Sequence, residues 1–325
     1  DSNPLYSGFH RLFIKPFGNN KDRGWLNNFF DSSSAEKVTL RSYFSLLNFK
    51  ANHRKVLLAD FVDGNDNLKL ATIITSGNPH NASFAHQNIA LRIDDYIHQA
   101  VIKSEQAVIN FSNGLSLPKL NIIDEEGKLA IKFLTERAIK DNLLEHISES
   151  NDGEEIRMMM FYLSDREIIR ELIEASQRGV DIKIILDPNK DAFGFEKDGL
   201  PNRQVAEELI RKSEERIDIR WCLTTGEQCH FKMTIFNKET GQSGISLGSA
   251  NLTRRNLDNY NLETNVFLQG GTDLEIFSEA NNYFDELWNN EGDRQYTLNY
   301  DVYAENYRLK WIRYYIMEKV GLSTF

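Results

Sequence analysis

An internal repeat constrains this chain more than any other feature of its sequence. NHRKVLLAD (52–60) and QCHFKMTIFN (228–237) each place a His two residues before a Lys and then continue with apolar-rich residues. Each is followed by a short glycine-containing loop, TSGN (75–78) and GSAN (248–251), in which Ser76 matches Ser249 and Asn78 matches Asn251. The His-to-Ser separations are 23 and 19, and the longer first copy carries its extra residues near Asp63–Asp66, a natural hairpin turn. Ten residues beyond the loop asparagines stand Asn88 and Asn261. A more diffuse match pairs DPNKDAFGF (187–195) with DSNPLYSGF (1–9). On that match the first copy is expected to lack the opening β-α-β-α stretch of the second.

The rest of the pattern is α/β. SDREIIRELIEASQR (164–178) reads as a helix with Ser164 as N-cap, Glu167 completing a capping box and Gly179 as the stop. The runs 156–163 and 180–187 on either side read as strands, so the unit is β-α-β with a parallel pairing. A strand is expected at 131–136 with a helix after it, a helix at 203–212, a strand at 216–223, and helices at 272–288 and 301–320. The segment 114–127 is irregular and would join two halves, 1–115 and 116–325.

The repeated residues carry a specific chemistry. On a strand, residues i and i+2 share a face, so His53 projects with Lys55 and His230 with Lys232. Hydroxyls, amides and glycine-freed backbone at Ser76, Asn78, Ser249 and Asn251 can reach a phosphate. Two imidazoles and two ammonium groups suffice to cleave a phosphodiester. One His attacks phosphorus, the other moves the proton, and the lysines and amides hold the equatorial oxygens. The chemistry calls for no metal or other cofactor. A lone strand His is ordinarily structural, and His10, His80, His86, His98 and His146 lack the repeated context. His80 and His86 could line a pocket but read first as solvated loop.

These motifs resemble the HKD signature of the phospholipase D superfamily, and the stretch 226–266 is similar to bacterial cardiolipin synthase and phospholipase D-like proteins. The first copy is complete with Asp60, whereas the second has Asn237 in the place of the motif Asp, a residue the resemblance implies is structural. The resemblance implies two similar α/β halves with mixed, largely parallel sheets, related by a pseudo-two-fold axis and meeting at the motifs. It further implies a downstream carboxylate that holds a motif His by its second ring nitrogen. Glu263 matches that position in the second copy and Ala90 in the first. His53 is then the expected nucleophile and His230 the expected acid/base.

The expected activity is phosphodiester hydrolysis or transphosphatidylation of a glycerophospholipid, with water or an alcohol as acceptor. The alternatives are a nuclease of the same superfamily and an inactive binding protein. A net charge of −10 and a pI near 5.3 weigh against a nucleic-acid partner, and outside the motifs themselves Arg254-Arg255 is the only basic doublet close to one. The aromatic-rich tail with Tyr303, Tyr307, Trp311, Tyr314 and Tyr315 reads first as a core-packing helix and second as a membrane-surface helix. With both motifs in one chain, a monomer in peripheral contact with a membrane is expected, exported or facing the outside of a bacterial cell. Cys222 and Cys229 read as two free thiols beside a strand, a bridge between them being an option in an exported protein.

Overall fold

Strands that are apolar at nearly every position must be covered on both faces. The runs EIRMMM and DIKIIL meet that requirement in the computed structural model, which describes residues 24–27, 37–39, 50–66, 68–94, 97–117, 129–192 and 195–320. β5 (Glu155–Met160), β6 (Asp181–Leu186) and β9 (Ile217–Cys222) pair in parallel, with α4 (Arg166–Gln177) and α5 (Asn202–Lys212) as crossovers. The side chains of Met158, Ile184 and Ile219 point to the layer formed by α3 (Arg137–Ser148), α4 and α5. Met159 and Ile185 point to the opposite layer, where Phe277, Phe284 and Leu287 of α7 (Glu275–Asn289) complete the core.

The same sheet continues antiparallel through β10 (Lys232–Asn237), β11 (Gln242–Gly248) and β12 (Thr264–Gly271) to β4 (Ala130–Thr135). β13 (Thr297–Asn299) closes the other edge, beside β9, and a short antiparallel pair, β7 (Asp191–Ala192) and β8 (Phe195–Glu196), stands apart from this sheet. The outcome is an eight-stranded mixed sheet, parallel along β5-β6-β9 and antiparallel elsewhere. A separate three-stranded antiparallel sheet holds β1 (Val56–Val62), β2 (Leu68–Thr75) and β3 (Ala90–Ile93). Ile74 and Ile93 of that sheet pack with Ile97 and Val101 at the start of α2 (His98–Phe111), against Val266 of β12. β1-β2-β3 therefore repeats the hairpin-plus-strand plan of β10-β11-β12. The longer first hairpin turns at Asp63–Asp66, where Asp66 N donates to Asp63 O. The match to residues 1–9 lies outside the described residues, as do His10 and most of the irregular joining segment.

Three local expectations change. The cap of α4 is Asp165, whose Oδ1 accepts from Glu167 N at 3.0 Å and Ile168 N at 3.1 Å. Ser164 is one residue too early: the backbone N–H groups of Ser164 and Asp165 both donate to Leu252 O, at 2.7 and 2.8 Å, and it is the Asp165 side chain that reaches the N–H groups of the first turn. Cys222 and Cys229 form a disulfide rather than two free thiols. The chain leaves β9 and folds straight back toward β10, which brings both buried Cα atoms within 6.2 Å. In the tail, η1 (Tyr300–Tyr303) is a 3-10 turn and α8 (Arg308–Val320) a helix of divided character. Tyr314 is buried, donates its hydroxyl to Ser164 O at 3.0 Å and accepts from Arg166 at 3.1 Å. Leu309, Ile312 and Ile316 of α8 face solvent.

Because Ile184 is completely buried at the centre of the parallel run, Ile184→Ala is expected to cost about 2–5 kcal/mol. Urea unfolding checks this, the midpoint falling with the slope unchanged.

Candidate active site

Two isolated parallel bridges bring the repeats together. Asn52 pairs with Leu262: His53 N donates to Leu262 O at 2.9 Å, and Leu262 N to Ala51 O at 2.8 Å. Cys229 stands in the same relation to Gln87. Here His230 N donates to Gln87 O at 2.9 Å, and Gln87 N to Gln228 O at 2.9 Å. In both bridges the next residue on one strand is a motif His, and the next residue on the other is its partner. His53 Nδ1 lies 2.9 Å from each carboxylate oxygen of Glu263. His230 Nδ1 lies 3.0 Å from Asn88 Oδ1. Each imidazole is thus held by a residue of the other repeat.

Asn88, not Ala90, is the counterpart of Glu263. Ser76 N donates to Ile89 O and Ile89 N to Ser76 Oγ, both at 2.9 Å. Ser249 N donates to Thr264 O at 2.8 Å and Thr264 N to Ser249 Oγ at 3.0 Å. Ile89 therefore corresponds to Thr264, and the residues before them correspond as well. The Ser-to-partner separation is 12 in the first repeat and 14 in the second, so gap-free matching overshoots by two residues. Ala90 begins β3 and is exposed, and Asn261 is not the mate of Asn88.

The partners fix the tautomers. An ionised carboxylate only accepts, so His53 Nδ1 carries the proton toward Glu263 and Nε2 keeps a lone pair. Glu263 is fully buried and also accepts from Ser249 Oγ at 2.6 Å and from Asn256 Nδ2. Asn88 donates its Nδ2 to Ser83 O at 2.8 Å and His86 O at 3.0 Å, which leaves Oδ1 to accept from His230 Nδ1. The two rings share one tautomer and differ in partner, a carboxylate for one and a neutral amide for the other.

Each lysine folds back on its own histidine. Lys55 Nζ donates to His53 O at 2.8 Å, and Lys232 Nζ to His230 O at 3.2 Å. Lys232 Nζ also stands over the Phe161 ring at 5.2 Å. Burial lowers the Lys55 ammonium to about 8, against the opposing pull of Glu263. Burial drives Lys232 well below the usual lysine range, and the nearby Lys55 adds to it. His230 is likewise held well below the usual range, first by burial and then by the charges of Lys232, Lys55, His53 and His86. These mutual effects require the four groups to share one field. Glu263 opposes the shifts at Lys55 and Lys232, the buried Asp187 opposes that at Lys232, and an incoming anion would oppose all three. His53 is 29% exposed and His230 only 5%, so the site opens on the His53 side.

The remaining motif residues divide between scaffold and site. Ser76 and Ser249 are fully buried and spend their hydroxyls on the backbone of the neighbouring strand, Ser249 also on Glu263. Asn78 is half-buried, and Asn251 is buried with no partner for its amide oxygen among the described residues. Asn237 ties β10 to Glu155 and Asn281, whereas Asp60 is exposed on β1. His86 lies beside the site: its ring is 6.1 Å from His230 and its Nδ1 accepts from Gln228 N at 3.1 Å. His80 caps α1 (Asn81–Phe84), His98 bonds Thr72 inside the small sheet's core, and His146 stacks on Phe267. Asn256 escaped the sequence reading because nothing in its spacing from Glu263 marks it as a carboxylate's support.

Residues 143–288 match the family model described as cardiolipin synthase, phospholipase D-like domain. This stretch is a phospholipase D-like domain. It contains the second motif with Glu263, and the first motif lies upstream of it. Among solved structures the chain is similar to phosphatidylserine synthase from Haemophilus influenzae. That likeness has 12% identity and a TM-score of 0.53, and covers 78% of this chain and 69% of the other. It is also similar to Nuc, a phospholipase D family member from Salmonella typhimurium, with 21% identity, a TM-score of 0.39, and coverage of 51% and 99%. A third likeness is to yeast tyrosyl-DNA phosphodiesterase, with 11% identity, a TM-score of 0.40, and coverage of 67% of each chain. The synthase likeness supports the phospholipase D-like fold. No curated protein sequence matches the chain.

An ammonium at Lys55 is present below about pH 8 and lost above it. Binding of sulfate, whose charge is constant over this range, should weaken as pH rises through 8 by calorimetric titration. Lys55→Met should be weak throughout and lose that dependence.

Proposed function

We propose that this phospholipase D-like chain cleaves a phosphodiester in two steps through a phosphohistidine on His53. The crossed pairing carries the reading: a buried carboxylate behind His53 and a neutral amide behind His230. Glu263 can stabilise the positive charge that His53 acquires when Nε2 bonds to phosphorus. Asn88 offers no such charge, which suits a ring that only carries a proton.

In the first step His53 Nε2 attacks phosphorus, the bond from phosphorus to the leaving oxygen breaks, and His230 Nε2 gives that oxygen its proton. Burial and the neighbouring cations disfavour the protonated form of His230 in the free protein. The negative charge of a bound phosphodiester beside Lys55, Lys232 and His230 raises all three, so the proton arrives with the substrate. In the second step water or an alcohol attacks, His230 takes its proton, and the phosphorus–nitrogen bond breaks. Lys55 and Lys232, with the amides of Asn78 and Asn251, hold the equatorial oxygens.

A glycerophospholipid substrate is supported by three observations. The family model over 143–288 is that of cardiolipin synthase. The net charge of −10 disfavours a polyanionic polymer. The basic doublet near the motif is not a free groove, since Arg254 pairs with Asp258 at 3.3 Å and Arg255 is buried. α8 would make the peripheral membrane contact through Leu309, Ile312 and Ile316. It packs on α6 (Arg254–Leu257), which carries the Asn256 that supports Glu263. A single chain acting as a monomer, on the outer side of a bacterial membrane, fits both motifs in one polypeptide and the Cys222–Cys229 bond.

Phosphatidylglycerol vesicles should release or transfer the phosphatidyl group. His230→Ala should slow this about 10²–10⁴-fold, and His53→Ala should remove the covalent phosphatidyl-protein seen by mass spectrometry after an alkaline quench. Ile312→Asp with Ile316→Asp should weaken vesicle sedimentation. Single-stranded DNA cleavage without lipid turnover would overturn the lipid reading in favour of a nuclease, and inertness on both would favour a binding protein.

A further inference from the structure

The two motifs differ at the residue between His and Lys. In the second it is Phe231, buried edge-on to Tyr283 at 5.9 Å. In the first it is Arg54, whose side chain is only 6% exposed. On an extended chain this residue points away from the site, so Arg54 reaches beneath His53 and Lys55. One terminal nitrogen, Nη1, donates to Ser104 Oγ at 2.8 Å and Glu105 Oε1 at 3.3 Å, both on α2. The other, Nη2, donates to Glu136 Oε1 at 2.7 Å. The same Glu136 oxygen accepts the backbone N–H of Glu263 at 3.2 Å.

Glu136 is the residue between β4 and α3 and has φ +49, ψ −123, a conformation a non-glycine residue rarely adopts. Such a conformation persists where surrounding contacts over-determine it and is common beside functional sites. Two donors converge on its carboxylate oxygen, one from each side of the repeat interface.

We propose that Arg54 and Glu136 are positioning residues for the reacting histidine. They close a ring that runs from the His53 backbone to Arg54, through Glu136 to the Glu263 N–H, and through the Glu263 carboxylate back to His53 Nδ1. The bridge from His53 N to Leu262 O sets the two backbones side by side, and Glu136 fixes the pitch of Glu263 within that bridge. Without it, the carboxylate remains near His53 but loses the geometry in which both oxygens sit 2.9 Å from Nδ1. The second repeat has no such ring, because Phe231 cannot donate and Asn88 is fixed by its own loop carbonyls.

The catalytic consequence rests on His53 being the nucleophile, but the geometric one does not. The test uses the whole chain with bis(p-nitrophenyl) phosphate as substrate and, separately, the imidazole Nδ1–H proton resonance of His53, assigned by its loss in His53→Ala. Glu136→Ala should lower kcat about 10- to 100-fold, with KM within a few-fold and the resonance shifted or broadened. Glu136→Gln keeps an acceptor for the Glu263 N–H and should recover most of kcat and the resonance. Arg211→Ala, which breaks an exposed ion pair with Glu207, should change neither. An unchanged His53 resonance in folded Glu136→Ala would overturn the proposal. So would a Glu136→Gln protein in which kcat and Tm fall together as far as in Glu136→Ala. If the wild-type chain turns over no phosphodiester, the functional reading fails, while the resonance still decides the positioning role.

Discussion

The site depends on two backbone bridges that join the repeats, one at Asn52–Leu262 and the other at Gln87–Cys229. A bridge of this kind fixes register, and register decides which side chains meet. Because the bridges are related by the repeat, each brings a histidine of one half against a hydrogen-bonding partner of the other. Neither half holds a complete constellation by itself. The sheets, the helical layers and the loops around them serve to present these two short segments side by side.

Electrostatics gives the same result from another direction. Two lysines and a histidine buried beside the partly exposed His53 are unfavourable in the free protein, and the lowered proton affinities of Lys55, Lys232 and His230 record that cost. A bound anion would supply negative charge there. Anion binding and proton loading would then be coupled, and the free-state protonation of His230 would not describe its state in such a complex. The field also explains why Glu263 is so heavily supported. It is the carboxylate that touches His53, and Ser249, Asn256 and the Glu136-held backbone all keep it in place.

Much of this was legible from residues alone. The His-x-Lys and Ser-x-Asn spacings located both motif strands and both loops, and the apolar runs at 156–163 and 180–187 gave the parallel core. What misled was local. A one-residue ambiguity put the α4 cap at Ser164 rather than Asp165, because either side chain can cap and only the folded backbone decides which of them reaches the first-turn N–H groups. The two-residue difference between the Ser76 and Ser249 loops put Ala90 where Asn88 belongs. The cysteines read first as free thiols and a bridge only as an option, since the tight return from β9 to β10 that pairs them is a tertiary event.

The sequence by itself determined which side chains recur in the two repeats and the strand faces they share, because a period of two and a repeated spacing are properties of the chain. It could not determine which histidine faces the carboxylate. That pairing crosses between segments more than 200 residues apart, and only the register of the bridges assigns Glu263 to His53 and Asn88 to His230. The support from Arg54 and Glu136 belongs to the same category. It exists only where β4, α2 and the first motif are packed together, and nothing in the spacing of those residues announces it.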